Sequence, residues 1–444
     1  MKKTVFAVLA FAALGVFAAK DFKPEPYDIG EDLEKNEESW MQSSVDFVQE
    51  HKATGFRYAD NKRRIAICAV PGAVFFNKIP VYETRCYFQT KPKLMTKVEL
   101  SLYNKGDAKM TDVMTADQFK ELVGKVMDIL TPEGEAKPKP KSRKLQTGRG
   151  MTYTCVWPKR KPSASLIWGI SGDRGKEQVE FLRLTLAQGN AKADDTKAKA
   201  GPSKTSIIGN VKKNDEGDVW IANIPMVDQG QKGYCAVATA ERVLRYYGND
   251  IDEHQIAQMA GSTAEGGTSI AEMIKSVEII GKRCKLGLAK VAQSNTSLGG
   301  LEKQIDLYNQ AAAKMGKEKL DINSYVSHKG NMIYYNPGKA LQDMEPKVLK
   351  VVAMKNGAGY KRFTKGVRQQ IKAGIPMFWG VQLGIYSEPE IPQAAGGHMR
   401  LIVGYNDETG EILYSDTWGA GHELKRMPED WAWTITHNVF YLKP

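Results

Sequence analysis

The chain has 444 residues, of which 42% are hydrophobic and 26% are charged, a balance typical of a globular protein with two or three domains. Its five cysteines are too few to build a disulfide scaffold. The formal net charge of +12 favours anionic surfaces as neighbours but does not indicate a chemistry.

The first residues have the layout of a secretory signal peptide. Lys2 and Lys3 precede an apolar run from Val5 to Ala19 that ends in small residues. We therefore expect residues 1–19 to form a signal peptide, cut next to Ala18, and the chain to be secreted or periplasmic. An uncleaved anchor is the alternative, but the run is short for a bilayer span of about 20 residues. No later stretch predicts a membrane span in the mature chain.

A low-complexity stretch divides the chain. Residues 189–206, GNAKADDTKAKAGPSKTS, have small, charged and turn-forming residues without apolar periodicity, which predicts a flexible linker. Residues 20–188 predict an α+β domain of unknown role. Within it, Thr115 and Gln118 form a capping box for an amphipathic helix that runs to Leu130.

Strands of this first domain are predicted from runs rich in Val, Ile, Leu and aromatic residues. The runs are RRIAICAVPGAVFF, TRCYFQT, TKVELSLYN, MTYTCVW, ASLIWGI and VEFLRLTLA. The basic segment Lys137–Gly150 has little aromatic interleaving, so we expect no nucleic acid as a partner. It is either a solvated loop or a contact to an anionic surface such as the cell envelope.

The second region, residues 207–444, contains a cysteine at the start of a predicted helix. The segment after Cys235 has apolar residues at helical spacing, and Gly248 is a suitable C-terminal stop. The unpaired N–H groups and the positive dipole of a first turn favour a thiolate over a thiol. With five cysteines at Cys68, Cys86, Cys155, Cys235 and Cys284, at least one thiol stays free within a single chain, and the sequence does not decide which residues pair.

A reactive thiolate needs a base, and the base needs a group that orients it. His398 follows two glycines at the start of an apolar strand, GGHMRLIVGYND. Asp416 lies at the end of a second predicted strand, just before a turn. Two adjacent strands would bring His398 and Asp416 side by side, with Cys235 facing them.

These residues resemble the motifs of papain-like cysteine peptidases. That family has a glutamine six residues before the cysteine, and Gln229 keeps this spacing to Cys235. It also has an Asn-Ser-Trp-Gly turn after the histidine strand, where Asp416-Thr417-Trp418-Gly419 stands here, 18 residues after His398. The resemblance covers roughly residues 220–444, with Asp in place of Asn and without the family's second cysteine. Aspartate in that role, together with the glycines before His398, resembles the branch of bacteriocin-leader (double-glycine) peptidases.

The resemblance implies an α+β fold whose C-terminal domain has a helical half and an antiparallel β half. It implies a peptidase that acts on a peptide or protein substrate without a cofactor. Cys235 would be the nucleophile, His398 the base, Asp416 its orienting partner and Gln229 an oxyanion donor. A membrane transporter usually accompanies that branch and is missing here, so the leader-peptide substrate is not carried over.

Other interpretations stay open. A transglutaminase-like acyl transferase or amidase uses similar residues, and an inactive binding module would keep the motifs without the chemistry. No pair of Cys or His residues has the spacing of zinc ligands, so no metal is expected. The sequence places His254 on a surface helix. The first domain is either a pro-region that covers the cleft or a permanent targeting domain.

Overall fold

A computed structural model describes residues 4–7, 23–90, 93–105, 113–144, 150–172, 177–188, 207–229, 234–249, 253–260, 270–295, 297–330, 332–389, 391–393 and 395–444. The predicted linker 189–206 lies outside these residues, as does most of the predicted signal peptide. The domain boundaries and the leader therefore stay predictions.

The helices are short to medium in length. They are α1 Ile29–Lys35, α2 Glu37–Met41, α3 Ser44–Glu50, α4 Ala116–Leu130, α5 Cys235–Tyr246, α6 Glu253–Ala260, α7 Ile270–Arg283, α8 Leu298–Lys314, α9 Pro337–Asp343, α10 Pro346–Lys355, α11 Gly357–Lys372 and α12 Glu429–Thr434, with a 3₁₀ turn at Ile322–Ser324. Among the described residues, no helix combines the length and the apolar character needed to cross a membrane.

The strands of the first half are β1 Thr4–Ala7, β2 Tyr27–Asp28, β3 Arg57–Tyr58, β4 Ile65–Cys68, β5 Val74–Phe76, β6 Ile79–Val81, β7 Glu83–Thr90, β8 Lys93–Asn104, β9 Lys141–Lys144, β10 Gly150–Trp157, β11 Ser163–Ser171 and β12 Gln178–Ala187. Those of the second half are β13 Val211–Lys213, β14 Asp218–Ile221, β15 Gly287–Gln293, β16 Val326–Lys329, β17 Met332–Tyr335, β18 Met377–Leu383, β19 Gly396–Asn406, β20 Glu411–Ser415, β21 Lys425–Pro428 and β22 Thr436–Lys443.

The N-terminal region, which we define as the described part of residues 23–188, is built on an antiparallel sheet. Its strand order is β3-β4-β7-β8-β12-β11-β10-β9. The predicted helix is confirmed as α4, and the Thr115–Gln118 capping box is present. Its apolar face, including Phe119 and Val126, joins the buried core of this sheet. Because capping and periodicity are local properties of the sequence, they predict this helix well.

The strand-like run Arg63–Phe76 contains two strands, β4 and β5, separated by a turn. Pro71 and Gly72 lie between them, and Gly72 has a φ of +73°, a backbone conformation that ends a strand in a turn.

The basic segment Lys137–Gly150 is not only a loop. Lys141–Lys144 forms β9, an edge strand that pairs with β10 and exposes all four of its residues. Charged side chains on an edge strand oppose further strand pairing by another chain. Lys141–Lys144 of this segment is thus a solvated strand edge.

The C-terminal region, the described part of residues 207–444, has its own antiparallel sheet in the order β13-β14-β19-β18-β22-β15, with β20 and β21 extending from β19. Alternate residues of β18 face two different cores. Phe378 packs with helices α5 and α7, whereas Met377 and Trp379 pack on the other face with α8 to α11. The sheet is therefore covered by helices on both faces.

Both halves of the chain combine helices with antiparallel sheets, so the α+β fold class is confirmed. Side-chain packing as well as hydrogen bonds holds the strands of the C-terminal sheet together. Phe378 of β18 stacks on Phe440 of β22 with ring centroids 4.6 Å apart, a contact worth about 1 kcal/mol. This packed centre adjoins β19, which carries His398 and pairs with β20, the strand that ends just before Asp416.

Candidate active site

Cys235 is the first residue of helix α5. Tyr234 stands at the N-cap and forms no side-chain capping hydrogen bond. Helix α5 is anchored by Val237, Ala240 and Leu244, which are buried against the sheet. Cys235 is a partly exposed residue, whereas the other four cysteines are buried, and all five are free thiols. Helix α5 thus fixes the position of Cys235.

His398 and Asp416 lie side by side on neighbouring strands. His398 is near the start of β19, and Asp416 follows the last residue of β20, which pairs with β19. Nε2 of the imidazole is 3.0 Å from Oδ1 of Asp416. Both side chains are fully buried. Since Nε2 is engaged by the carboxylate, Nδ1 is the ring nitrogen left for Cys235.

The electrostatics of the three residues favour a charged pair. Burial by itself would raise the pKa of the Cys235 thiol, but the neighbouring His398 ring and the N–H groups of Met399 and Ala236 together lower it. Burial would lower the pKa of His398, but its hydrogen bond with Asp416 and its interaction with the nearby Cys235 raise it. The two shifts are opposite in sign, which is what a thiolate beside an imidazolium requires.

Trp418 covers the imidazole. Its ring is parallel to that of His398, with centroids 4.2 Å apart and an interplanar angle of 8°. His422 meets the edge of the same indole at 5.6 Å. Stacking on Trp418 limits the rotation of His398 and keeps water away from its contact with Asp416.

Gln229 is buried next to the turn that follows Asp416. Its backbone N–H donates to the carbonyl of Thr417 (2.8 Å), and the Thr417 hydroxyl donates to its Oε1 (2.6 Å). With Oε1 fixed by Thr417, the orientation of the side-chain amide is set. The sequence predicted Gln229 but did not indicate Thr417 as the residue that holds it.

Arg400 was missed by the sequence reasoning. Its Nε is 2.8 Å from Oδ1 of Asp416, and its Nη2 is 2.8 Å from Oε2 of Glu388. Arg400 is fully buried and lies two residues after His398, hence on the same face of β19. Burial would raise the pKa of Asp416, but the Arg400 charge and the hydrogen bond with His398 lower it to about 2. Strand alternation was the signal that could have identified Arg400.

Arg242 is a second buried arginine that the sequence did not reveal. From helix α5 it donates to the carbonyls of Pro225 (2.8 Å) and Asp416 (2.6 Å), and to the Ser415 hydroxyl (2.6 Å). It therefore ties the helix of Cys235 to the end of β20 and to the segment that leads to Gln229.

The prediction that His254 lies on a surface helix is wrong. The residue is 3% exposed, and its ring stacks on Phe181 of the N-terminal region with centroids 5.6 Å apart. It is buried because the sheet of the N-terminal region covers this helix. Within the described parts of the chain, no group of three or more His, Cys, Asp or Glu residues could hold a metal ion.

The structure thus brings Cys235, His398 and Asp416 together and places Gln229 beside the turn that follows Asp416. Residues 221–440, which include all four, match the Peptidase_C39 like family. Among solved structures, xylellain, a cysteine protease from Xylella fastidiosa, is similar at 14% identity over 57% of this chain and 93% of that chain, with a TM-score of 0.25. No curated protein matches the chain.

Proposed function

Because residues 221–440 belong to the Peptidase_C39 like family, a family of cysteine peptidases, we propose that the chain hydrolyses peptide bonds through Cys235, His398 and Asp416. The observation that carries the proposal is the buried imidazole between the thiol and the carboxylate, with a pKa of Cys235 that is lowered despite desolvation. Isolated buried thiols have raised pKa values, as Cys155 does.

The first step transfers the proton of Cys235 to His398. Asp416 accepts the hydrogen bond from Nε2 of the ring and stabilises its positive charge. The sulfur then attacks the substrate carbonyl carbon, and the carbonyl oxygen becomes negatively charged. Gln229 and the backbone N–H of Cys235 are the proposed donors to this oxyanion, and one such donor is worth about 3 kcal/mol of barrier.

The second step completes the reaction. His398 gives its proton to the leaving amine, the C–N bond breaks, and the acyl group stays on Cys235 as a thioester. Water, deprotonated by the same imidazole, then attacks the thioester and releases a carboxylate and the free thiol. The substrate is a peptide or protein, and we propose that it is met outside the cytoplasm, because residues 1–19 have the pattern of a signal peptide.

A peptide library with internally quenched fluorophores tests the proposal. We expect the chain to cleave some of its members, and Cys235→Ala to lower kcat/KM by at least about 1,000-fold. The matched control is Cys284→Ala, which removes a buried thiol and is expected to leave cleavage within about twofold.

Mass spectrometry of the products separates peptidase from acyl transferase. Hydrolysis adds one water across the cleaved bond, whereas transfer to an added primary amine gives an amide. If the amide were the main product at modest amine concentration, a transglutaminase-like reaction would replace the peptidase. If no peptide were cut and iodoacetamide labelled Cys235 no faster than an unfolded thiol, the chain would be a binding module.

A further inference from the structure

The N-terminal region contacts the residue that immediately precedes Gln229. Arg57 of β3 forms an ion pair with the carboxylate of Asp228. The Asp228 side chain is 2% exposed, whereas Arg57 remains 51% exposed on the outer side. Arg85 of β7 donates from Nη2 to the Asp228 carbonyl (3.3 Å), and Glu83 holds Arg85 through Nε at 2.7 Å. Two arginines of one region thus hold the backbone and side chain of a residue in the other.

The same carboxylate packs against the turn that follows Asp416. A Cβ atom on Gly419 would lie 2.4 Å from Oδ2 of Asp228 and 3.1 Å from Nη1 of Arg57. Gly419 lies two residues after Thr417 in the same turn. Thr417 hydrogen-bonds to both the backbone and the side chain of Gln229. Asp228 is therefore the point where Arg57, the Gln229 segment and this turn meet.

Two further contacts join the N-terminal region to the site. Asn61 donates from its backbone N and its Nδ2 to the carboxylate of Glu423, at 2.9 and 2.7 Å. Tyr234, the residue before Cys235, donates its hydroxyl hydrogen to Oδ1 of Asn104 at 2.7 Å in a buried contact. The region thus contacts the segments of Gln229 and Cys235, and the turn after Asp416.

A buried carboxylate is stable only when it is paired. Removing Arg57 would take away the positive charge that faces the Asp228 carboxylate, so the Gln229 segment and the turn packed against this carboxylate would shift. A donor moved by about 1 Å no longer stabilises an oxyanion well, because these interactions depend on preorganised geometry. The position of Gln229 therefore depends on a residue 172 positions earlier in the chain.

We propose that Arg57 is a positioning residue for the oxyanion site, and that the N-terminal region is a permanent part of the enzyme rather than a removable pro-region. The inference rests on the proposed peptidase function. Arg57 contacts no reacting atom and acts through Asp228 on Gln229. Its loss must therefore weaken oxyanion stabilisation while it leaves the thiolate–imidazolium pair intact.

Two measurements on the full chain separate these effects. We expect Arg57→Ala to lower kcat/KM for a cleaved peptide by about 10- to 100-fold, mainly in kcat, because oxyanion stabilisation acts in the transition state. A peptide aldehyde, whose adduct carries an oxygen at the oxyanion position, should bind more weakly by a similar factor. Alkylation of Cys235 by iodoacetamide forms no oxyanion and should stay within about twofold of wild type.

Two variants serve as controls. Arg57→Lys keeps the positive charge beside Asp228 and should recover most of the activity. Arg64→Ala removes an exposed arginine of the same region and should leave kcat/KM unchanged.

The outcomes are distinct. If wild type and Arg57→Ala cleave the peptide equally well, the positioning role is wrong and the peptidase stands. If Arg57→Ala loses alkylation and cleavage together, or Arg57→Lys fails to recover activity at normal thermal stability, Arg57 is merely structural and the proposal is overturned. If the wild-type chain cleaves no peptide, the proposed function itself is wrong and the role of Arg57 falls with it.

Discussion

Arg400 and His398 approach the same oxygen of Asp416, the first through Nε at 2.8 Å and the second through Nε2 at 3.0 Å. The carboxylate is thus shared between a permanent cation and a titrating ring. Arg400 keeps Asp416 ionised, because its charge lowers the pKa of the carboxyl to about 2 despite complete burial. Asp416 therefore keeps its negative charge at neutral pH, and this charge raises the pKa of His398.

The charge of Asp416 should set the alkaline limit of activity. In Asp416→Asn the amide oxygen still accepts the hydrogen bond from Nε2, so the ring keeps its orientation, but the negative charge is lost. The pKa of His398 then falls, so the ring loses its proton at a lower pH. The alkaline limb of the plot of kcat/KM against pH therefore shifts to lower pH. We expect about a 10-fold loss at neutral pH and a larger loss in alkali.

The matched control for this variant is Asp407→Asn. Asp407 is an exposed aspartate that pairs with Arg368, and its loss should leave both limbs in place. If the alkaline limb of Asp416→Asn fell at the same pH as that of the wild type, the role given to the charge of Asp416 would be contradicted.

Thr417→Val tests the orientation of Gln229. Valine keeps the shape of threonine but removes the hydroxyl that donates to Oε1 of Gln229, so the amide loses one fixed contact. We expect kcat to fall by about 10-fold, with KM and Cys235 alkylation little changed. Thr434→Val removes a hydroxyl from helix α12 and is the control, expected to cost about 1 kcal/mol of stability without loss of activity. Equal activity in the two variants would exclude the orienting role.

Gly419 and Gly421 form a natural pair for testing the turn after Asp416. Both have positive φ, +83° and +90°, so alanine costs about 1 kcal/mol of backbone strain at either position. At Gly421 a Cβ atom meets no atom within 4 Å, whereas at Gly419 it would collide with Asp228. We expect Gly419→Ala alone to lower kcat/KM, by about 10-fold or more. Similar kinetics for both variants would mean that the Asp228 contact is unimportant.

The parts of the fold that depend on local sequence were predictable. The cap of α4 and the start of α5 at Cys235 follow from residue types within a few positions of each other. The sequence also predicted the two strands that bring His398 and Asp416 side by side, because apolar residues mark both strands. Assigning catalytic roles to these residues remains a prediction that the experiments above test.

Long-range contacts were not predictable because no local pattern encodes them. Arg57 and Asp228 are 171 residues apart, and each alone has the sequence context of a solvated charge. His254 stands in a polar segment that predicts exposure, yet the sheet of the N-terminal region buries it. Arg242 is buried because the acceptors around it, two carbonyls and a hydroxyl, come from separate segments. In each case tertiary packing outweighed the local pattern.

His437 makes a separate contribution to stability that depends on pH. It lies in β22, is 7% exposed, and its Nε2 is 3.1 Å from Oε1 of Gln382. Burial lowers the pKa of His437 to about 4. The unfolded chain binds this proton near pH 6.5, so the folded state loses stability as the pH falls from about 6.5 to about 4. The contribution of His437 is fully present only above its unfolded pKa.

Urea unfolding at about pH 7 and about pH 5 measures this contribution. For His437 alone, the free energy of unfolding should fall by about 2 kcal/mol between the two conditions. His437→Gln keeps a donor for Gln382 but does not titrate, so its decrease should be smaller than that of wild type by this amount. The comparison cancels other groups, such as His51, whose pKa is also lowered by burial. Identical decreases in the two proteins would mean that His437 is already protonated, or solvated, in the folded state at about pH 5.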